Sequence, residues 1–144
     1  METEKEKEQH HVKTTWQNKM DFIAEVNAHQ VHMDKLEQHG GNDLGPRPKP
    51  LILAAIAGCA GMEINSILQK MRINFESFEI DVHGELSNDI PKIYTQVHIH
   101  FSIKSQNPEK DKIEKAIHLT VDKYCGVIAM VKHFAKVSIQ ISHI

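Results

Sequence analysis

Three short segments with β-type patterning open the ordered part of the chain: Val12 to Trp16, Met20 to Val26 and Gln30 to Met33. Gln17-Asn18-Lys19 and Asn27 supply the turns between them, so the pattern predicts a three-stranded antiparallel meander. Gly40-Gly41-Asn42-Asp43 and the prolines at 46, 48 and 50 then interrupt regular structure, and a proline at the start of the next run suits the first turn of a helix. That helix is predicted from about Pro48 to Arg72, roughly 37 Å long at the α-helical rise. Its first half, Leu51 to Met62, is apolar on every side, as for a helix buried all round. Its second half is one-sided: Ile64, Ile67, Leu68 and Met71 share a face while Glu63, Gln69, Lys70 and Arg72 point elsewhere.

Clean alternation follows. Phe78, Ile80 and Val82 oppose Glu79, Asp81 and His83, and after a turn at Asn88 to Pro91, Val97, Ile99, Phe101 and Ile103 oppose His98, His100 and Ser102. This reads as a hairpin with one buried side. Asn107-Pro108-Glu109 is a helix start, with Asn at the N-cap, Pro at N1 and a carboxylate in the first turn. Ile113, Ala116, Ile117 and Val121 then point inward. A second helical run from Cys125-Gly126 uses Val127, Ile128, Val131 and Phe134, and Val137, Ile139 and Ile141 alternate as a last strand. The order of three β, α, two β, two α, β predicts an α+β fold with mainly antiparallel sheets.

At 144 residues, 40% hydrophobic and 25% charged, the chain fits one soluble domain, with a disordered polar tail expected at residues 1–10. A formal net charge of −2, with eleven histidines, argues against a general nucleic-acid binder. The twelve-residue apolar run from Leu51 to Met62 falls short of the ~20 residues a membrane span needs, and no membrane partner is expected. The charged start of the chain offers no secretory signal, so the expected compartment is the cytoplasm. The long helix needs cover on more sides than one chain of this size provides. A twofold homodimer is expected, with Ala57, Gly58, Ala60 and Gly61 letting two backbones approach.

The candidate chemistry lies in two cysteines. Cys59 sits among small residues in the apolar helix, and Cys125 sits where one helix gives way to another. Their separation along the chain matches neither a secreted disulfide framework nor a zinc-ligand spacing. Two readings stand: buried, unreactive fillers, or a pair that meets in the fold, with Cys125 made more acidic by opening a helix. His83, His98 and His100 share polar strand faces and read as solvated surface, as do Glu79 and Asp81; no metal or cofactor is expected. Gly58 and Gly61 lie in no phosphate-loop motif. Trp16 and Phe22 read as core or dimer contacts.

The string from Arg47 to Met62, RPKPLILAAIAGCAGM, followed by NSILQKMR at 65–72 and Tyr124-Cys125-Gly126-Val127, resembles the OsmC/Ohr family of organic hydroperoxide reductases and their osmotically induced relatives. The Gly58-Cys59-Ala60-Gly61-Met62-Glu63 variant is closest to the less characterised OsmC-like branch. The resemblance covers most of the chain from about residue 12 and implies a single OsmC-like domain over 11–144. It also implies an intertwined dimer with central helices, sheets formed by both chains, and sites at the subunit interface.

Carried over, the family pattern makes Cys59 the peroxidatic thiolate and Cys125 the thiol that resolves it. The reaction implied is reduction of organic hydroperoxides through a Cys59 sulfenate and a Cys59–Cys125 disulfide, which an external thiol or dithiol reduces. The family's reductases steady the thiolate with an arginine fixed by a glutamate ten residues before the first cysteine. Here that position is Lys49, and no arginine precedes Arg47. The cation would then come from Lys19, Lys49, Arg47 or a histidine such as His39, while Glu63, one turn after Cys59, acts against thiolate formation. The alternative reading is a catalytically weak relative that binds an apolar small molecule at the dimer interface.

Overall fold

The computed structural model describes residues 4–106 and 109–144, so the expected N-cap Asn107 and Pro108 lie outside the described residues. The chain divides into two compact units, Met1–Leu51 and Ile52–Ile144.

In the first unit, residues 4–12 are exposed and without regular structure. Strands β1 (Lys13–Asn18), β2 (Asp21–Val26) and β3 (His29–Met33) then form an antiparallel meander in that order. Trp16 stands opposite Phe22, and Ala24 opposite Val31. Asn27 and Ala28 both take positive φ, 50° and 63°, the mirror-image turn whose twist matches a two-residue hairpin. After a 3₁₀ turn at Glu37–His39, the loop is organised around the Asp34 carboxylate, which accepts from the backbone N–H of Lys35 (2.7 Å), Asn42 (3.1 Å) and Leu44 (3.2 Å). Gly41 is required there, since a Cβ would lie 2.0 Å from the Lys35 carbonyl oxygen. Trp16 and Phe22 remain 58% and 40% exposed, so they form no core within this chain.

The long helix α1 runs Pro48–Lys70. Its buried residues are the single stripe Ile56, Ala60, Ile64 and Leu68, so the expected all-round burial is not met within one chain. The cause is geometric: the second unit's sheet offers one apolar face, which covers one stripe. Met62 is 77% exposed and Ile52 42%. Of the four small residues expected to face a partner, Ala60 is fully buried and a Cβ on Gly61 would meet Ile80 at 3.1 Å, so these two face the chain's own sheet. The twelve-residue count also understates the helix: an 18-residue window reaches a mean hydropathy of 1.8, so by length and composition alone it would pass for a span.

Strands β4 (Ser77–Leu86) and β5 (Tyr94–Lys104) pair antiparallel, with Phe78 opposite Ile103, Ile80 opposite Phe101 and Val82 opposite Ile99. That register puts every apolar residue of the hairpin on one face. Helix α2 (Lys110–Leu119) buries Ile113, Ala116 and Ile117, and runs into a π turn at Thr120–Tyr124. The short helix α3 (Gly126–Val131) follows and buries Ile128 and Val131, but Phe134, expected inside, is 47% exposed because it lies beyond the end of α3. Strand β6 (Lys136–His143) pairs with β5 in parallel. The helical crossover returns the chain to the end at which β5 began, so the second sheet is mixed rather than purely antiparallel. The fold is α+β, as the element order predicts.

Candidate functional site

Both cysteines belong to the second unit and neither forms a disulfide. Cys59 occupies the middle of α1, one residue before the buried stripe position Ala60, and is half-buried against the core. Cys125 is 2% exposed and stands between the π turn and α3. Its sulfur caps α3 by accepting from the Ile128 N–H at 3.4 Å. Burial pushes the Cys125 thiol up to about 11; the Ile128 N–H works against this, while the neighbouring Cys59 thiol raises it further through hydrogen bonding and charge. The acidity expected from a helix N-terminus is therefore absent, because desolvation outweighs the few aligned peptides of a six-residue helix.

The fold thus brings together two thiols 66 positions apart and gives them different surroundings. A protonated, buried Cys125 is a poor first nucleophile, which leaves Cys59 as the sulfur open to attack from outside. Beside each sulfur stands a glycine, Gly58 and Gly126, at which a Cβ would meet nothing within 4 Å. A cavity of about 450 Å³ is lined by Arg72, Phe75 and Glu76 among others, and neither cysteine is among its described lining residues.

The remaining expected site residues are scattered. Glu63 is half-buried one turn after Cys59 on α1, and among the described residues it has no ion pair. Lys49 lies in the first turn of α1, ten residues before Cys59, outside the three- or four-residue spacing at which helical side chains meet. Lys19 reaches Asn42 Oδ1 at 3.4 Å. Arg47 donates to Asp43 Oδ1 and to the Gly45 carbonyl, both at 2.7 Å. His39 is exposed in the 3₁₀ turn. Lys19, Arg47 and His39 all belong to the first unit.

The histidines of the second sheet are held by hydroxyls of β6: His98 Nδ1 lies 2.8 Å from Ser138 Oγ, and His100 Nε2 lies 2.7 Å from Ser142 Oγ. Among the described residues no three potential metal donors gather at one point. Two residues beside Cys125 escape a reading of the sequence. Thr120 is fully buried and accepts from the Cys125 N–H at 2.9 Å, and Lys132 Nζ donates to the Val121 carbonyl at 2.9 Å. A π turn has no short sequence signature, so neither contact had a signal to find.

Comparison with known proteins shows the family and the fold. Residues 40–140 match the family model described as OsmC-like protein, a span that runs across the boundary between the two units. The chain belongs to the OsmC-like protein family. Protein YhfA of Escherichia coli (strain K12) is 28% identical over 118 residues, covering 81% of this chain and 85% of that protein. The OsmC-like protein from Mycoplasma pneumoniae has the same fold, with a TM-score of 0.80 at 15% identity over 95% of this chain and 98% of its own. The organic hydroperoxide resistance protein OhrB of Bacillus subtilis aligns with a TM-score of 0.63 at 12% identity, over 93% of this chain and 98% of its own.

Proposed function

We propose that this OsmC-like protein is a thiol-dependent peroxidase that reduces organic hydroperoxides to alcohols, acting as a cytoplasmic homodimer in which residues 11–144 work as one domain. The observation that carries the reading is the adjacency of Cys59 and Cys125, one half-exposed and one buried with a raised proton affinity. Cys59 as thiolate attacks the O–O bond; its sulfur loses two electrons, the bond breaks, and one oxygen leaves as the alcohol after taking a proton. The Cys59 sulfenic acid then condenses with the Cys125 thiol, forming the S–S bond and releasing water. An external thiol or dithiol returns both sulfurs to the reduced state by exchange.

Support for the dimer comes from apolar surface that one chain leaves open: Ile52 and Met62 on α1, Met130 beyond Cys125, and Trp16 and Phe22 in the meander. An apolar approach to Cys59 favours organic peroxides over hydrogen peroxide. Lys19, Lys49 and Arg47 are the proposed sources of positive charge for the thiolate.

Glu63 supports a second reading. Its carboxylate stands one turn from Cys59 without an ion pair among the described residues, which fits a catalytically weak protein that binds an apolar small molecule at the dimer interface. Thiol titration separates the two. One equivalent of cumene hydroperoxide is expected to remove both free thiols as one intramolecular disulfide, and an unchanged titre rejects the peroxidase.

A further inference from the structure

The chain around Cys125 is closed into a loop by contacts that do not involve the sulfur of Cys59. The Cys125 N–H reaches back five residues to the Thr120 carbonyl at 2.9 Å, the bond that makes this a π turn. Thr120 is itself anchored, its Oγ1 donating to the Ala116 carbonyl at 3.0 Å. A helix end leaves its last carbonyls without backbone partners, and here the Val121 carbonyl is taken by Lys132 Nζ at 2.9 Å. Lys132 belongs by its own backbone to the following helix, since its N–H donates to the Ile128 carbonyl at 2.9 Å. Ile128 in turn donates its N–H to Cys125 Sγ at 3.4 Å. The Lys132 bond therefore bridges residues 121 and 132, with Cys125 and its cap inside the bridge.

We infer that Lys132 is a positioning residue for the second thiol: by clasping the Val121 carbonyl it fixes the π turn and α3 against each other and so holds Cys125 Sγ where it can meet Cys59. The inference rests on the proposed peroxidase reading for its chemistry and on the clasp for its geometry. Helix α3 buries only Ile128 and Val131, so it has little packing of its own to set the sulfur's place. The groups that govern the Cys125 proton are burial, Ile128, Cys59 and Val127, so the part played by Lys132 is position rather than charge. The step it serves is balanced within the site: the Cys59 sulfenic acid and the Cys125 thiol become one disulfide and one water.

The test partitions the sulfenate. Reduced protein is treated with one equivalent of cumene hydroperoxide in the presence of dimedone, and the ratio of Cys59–dimedone adduct to Cys59–Cys125 disulfide is read by mass spectrometry. Lys132→Met, which keeps the aliphatic stem and loses the donor, is expected to raise that ratio about tenfold, the scale of a small misplacement of reacting groups. Lys132→Arg, which keeps a donor, is expected to restore it. Lys132→Leu, which also lacks a donor, replaces Met if the latter does not fold. A ratio equal to wild type in the folded variant, or Arg as impaired as Met, overturns the inference. A parallel arm uses diamide, whose azo bond takes two electrons and two protons from the thiol pair, and the same tenfold slowing of disulfide closure is expected. If the wild type ignores the hydroperoxide but closes its disulfide with diamide, the peroxidase reading fails, and the diamide rates of the variants alone decide the role of Lys132.

Discussion

A thiol held up to about 11 is only about one part in a thousand ionised at pH 8, so Cys125 is a latent nucleophile that needs an activated sulfur brought to it. Cys59 is the half-exposed member and the one an external reagent meets. Iodoacetamide at pH 8 is accordingly expected to label Cys59 well before Cys125, with Cys125 labelling rising steeply only as pH approaches 11; peptide mass spectrometry of a time course reads both sites. Equal rates at pH 8 would contradict the assigned order of attack. That order was legible in the sequence only through the family resemblance, because a cysteine among small residues inside an apolar helix and one where a helix begins each fit a filler or a reactive thiol. What distinguishes them is burial, which arises from tertiary structure, together with the local Ile128 N–H that Cys125 caps.

Among the elements, periodicity was read correctly where one face is buried by the chain itself along a whole strand or helix, and failed at Phe134 beyond the end of α3. The hairpin β4–β5 is the clearest case, since its alternation fixes both the faces and the register of Phe78 against Ile103. The parallel pairing of β6 was not legible, because strand patterning carries no direction. The π turn rests on a backbone bond that has no sequence signature. The part Asp34 plays in the expected Gly40-Gly41-Asn42-Asp43 loop was missed for a related reason, since side-chain to backbone bonds across eight or ten residues leave no periodic trace. Asp34 makes that loop sensitive to acid. Burial raises its proton affinity, but the N–H groups of Leu44, Lys35 and Asn42, helped by His32, outweigh it and hold the carboxyl below the ordinary range. A carboxyl depressed in the folded state stabilises it above the unfolded value of about 4, and that stabilisation is lost as pH falls through the folded value. Wild type is therefore expected to exceed Asp34→Asn in urea midpoint at pH 6, with the gap closing below pH 4. A gap that stays constant across that range would remove the loop carboxylate from the acid response.

For the molecule as a whole, the informative position is one where the single chain asks for nothing. Gly58 lies inside a helix, takes no left-handed conformation, and has open space where its Cβ would stand. Glycine in a helix interior is less stable than alanine by roughly 0.5–1 kcal/mol, so within one chain Gly58→Ala should only help. Gly61, three residues on, is explained internally by Ile80, and Gly58 has no such explanation. If a second copy packs its backbone against this face of α1, the added methyl group obstructs that approach. The two effects have opposite signs and are read separately. Sedimentation over a dilution series is expected to show weaker self-association for Gly58→Ala, while helicity at concentrations where the protein is monomeric is kept or raised. A variant that associates as tightly as wild type would mean that the partner does not cover this stretch of α1. The exposed Met62 and Ile52 would then need another occupant, and a site shared between subunits at Cys59 would lose its main physical support.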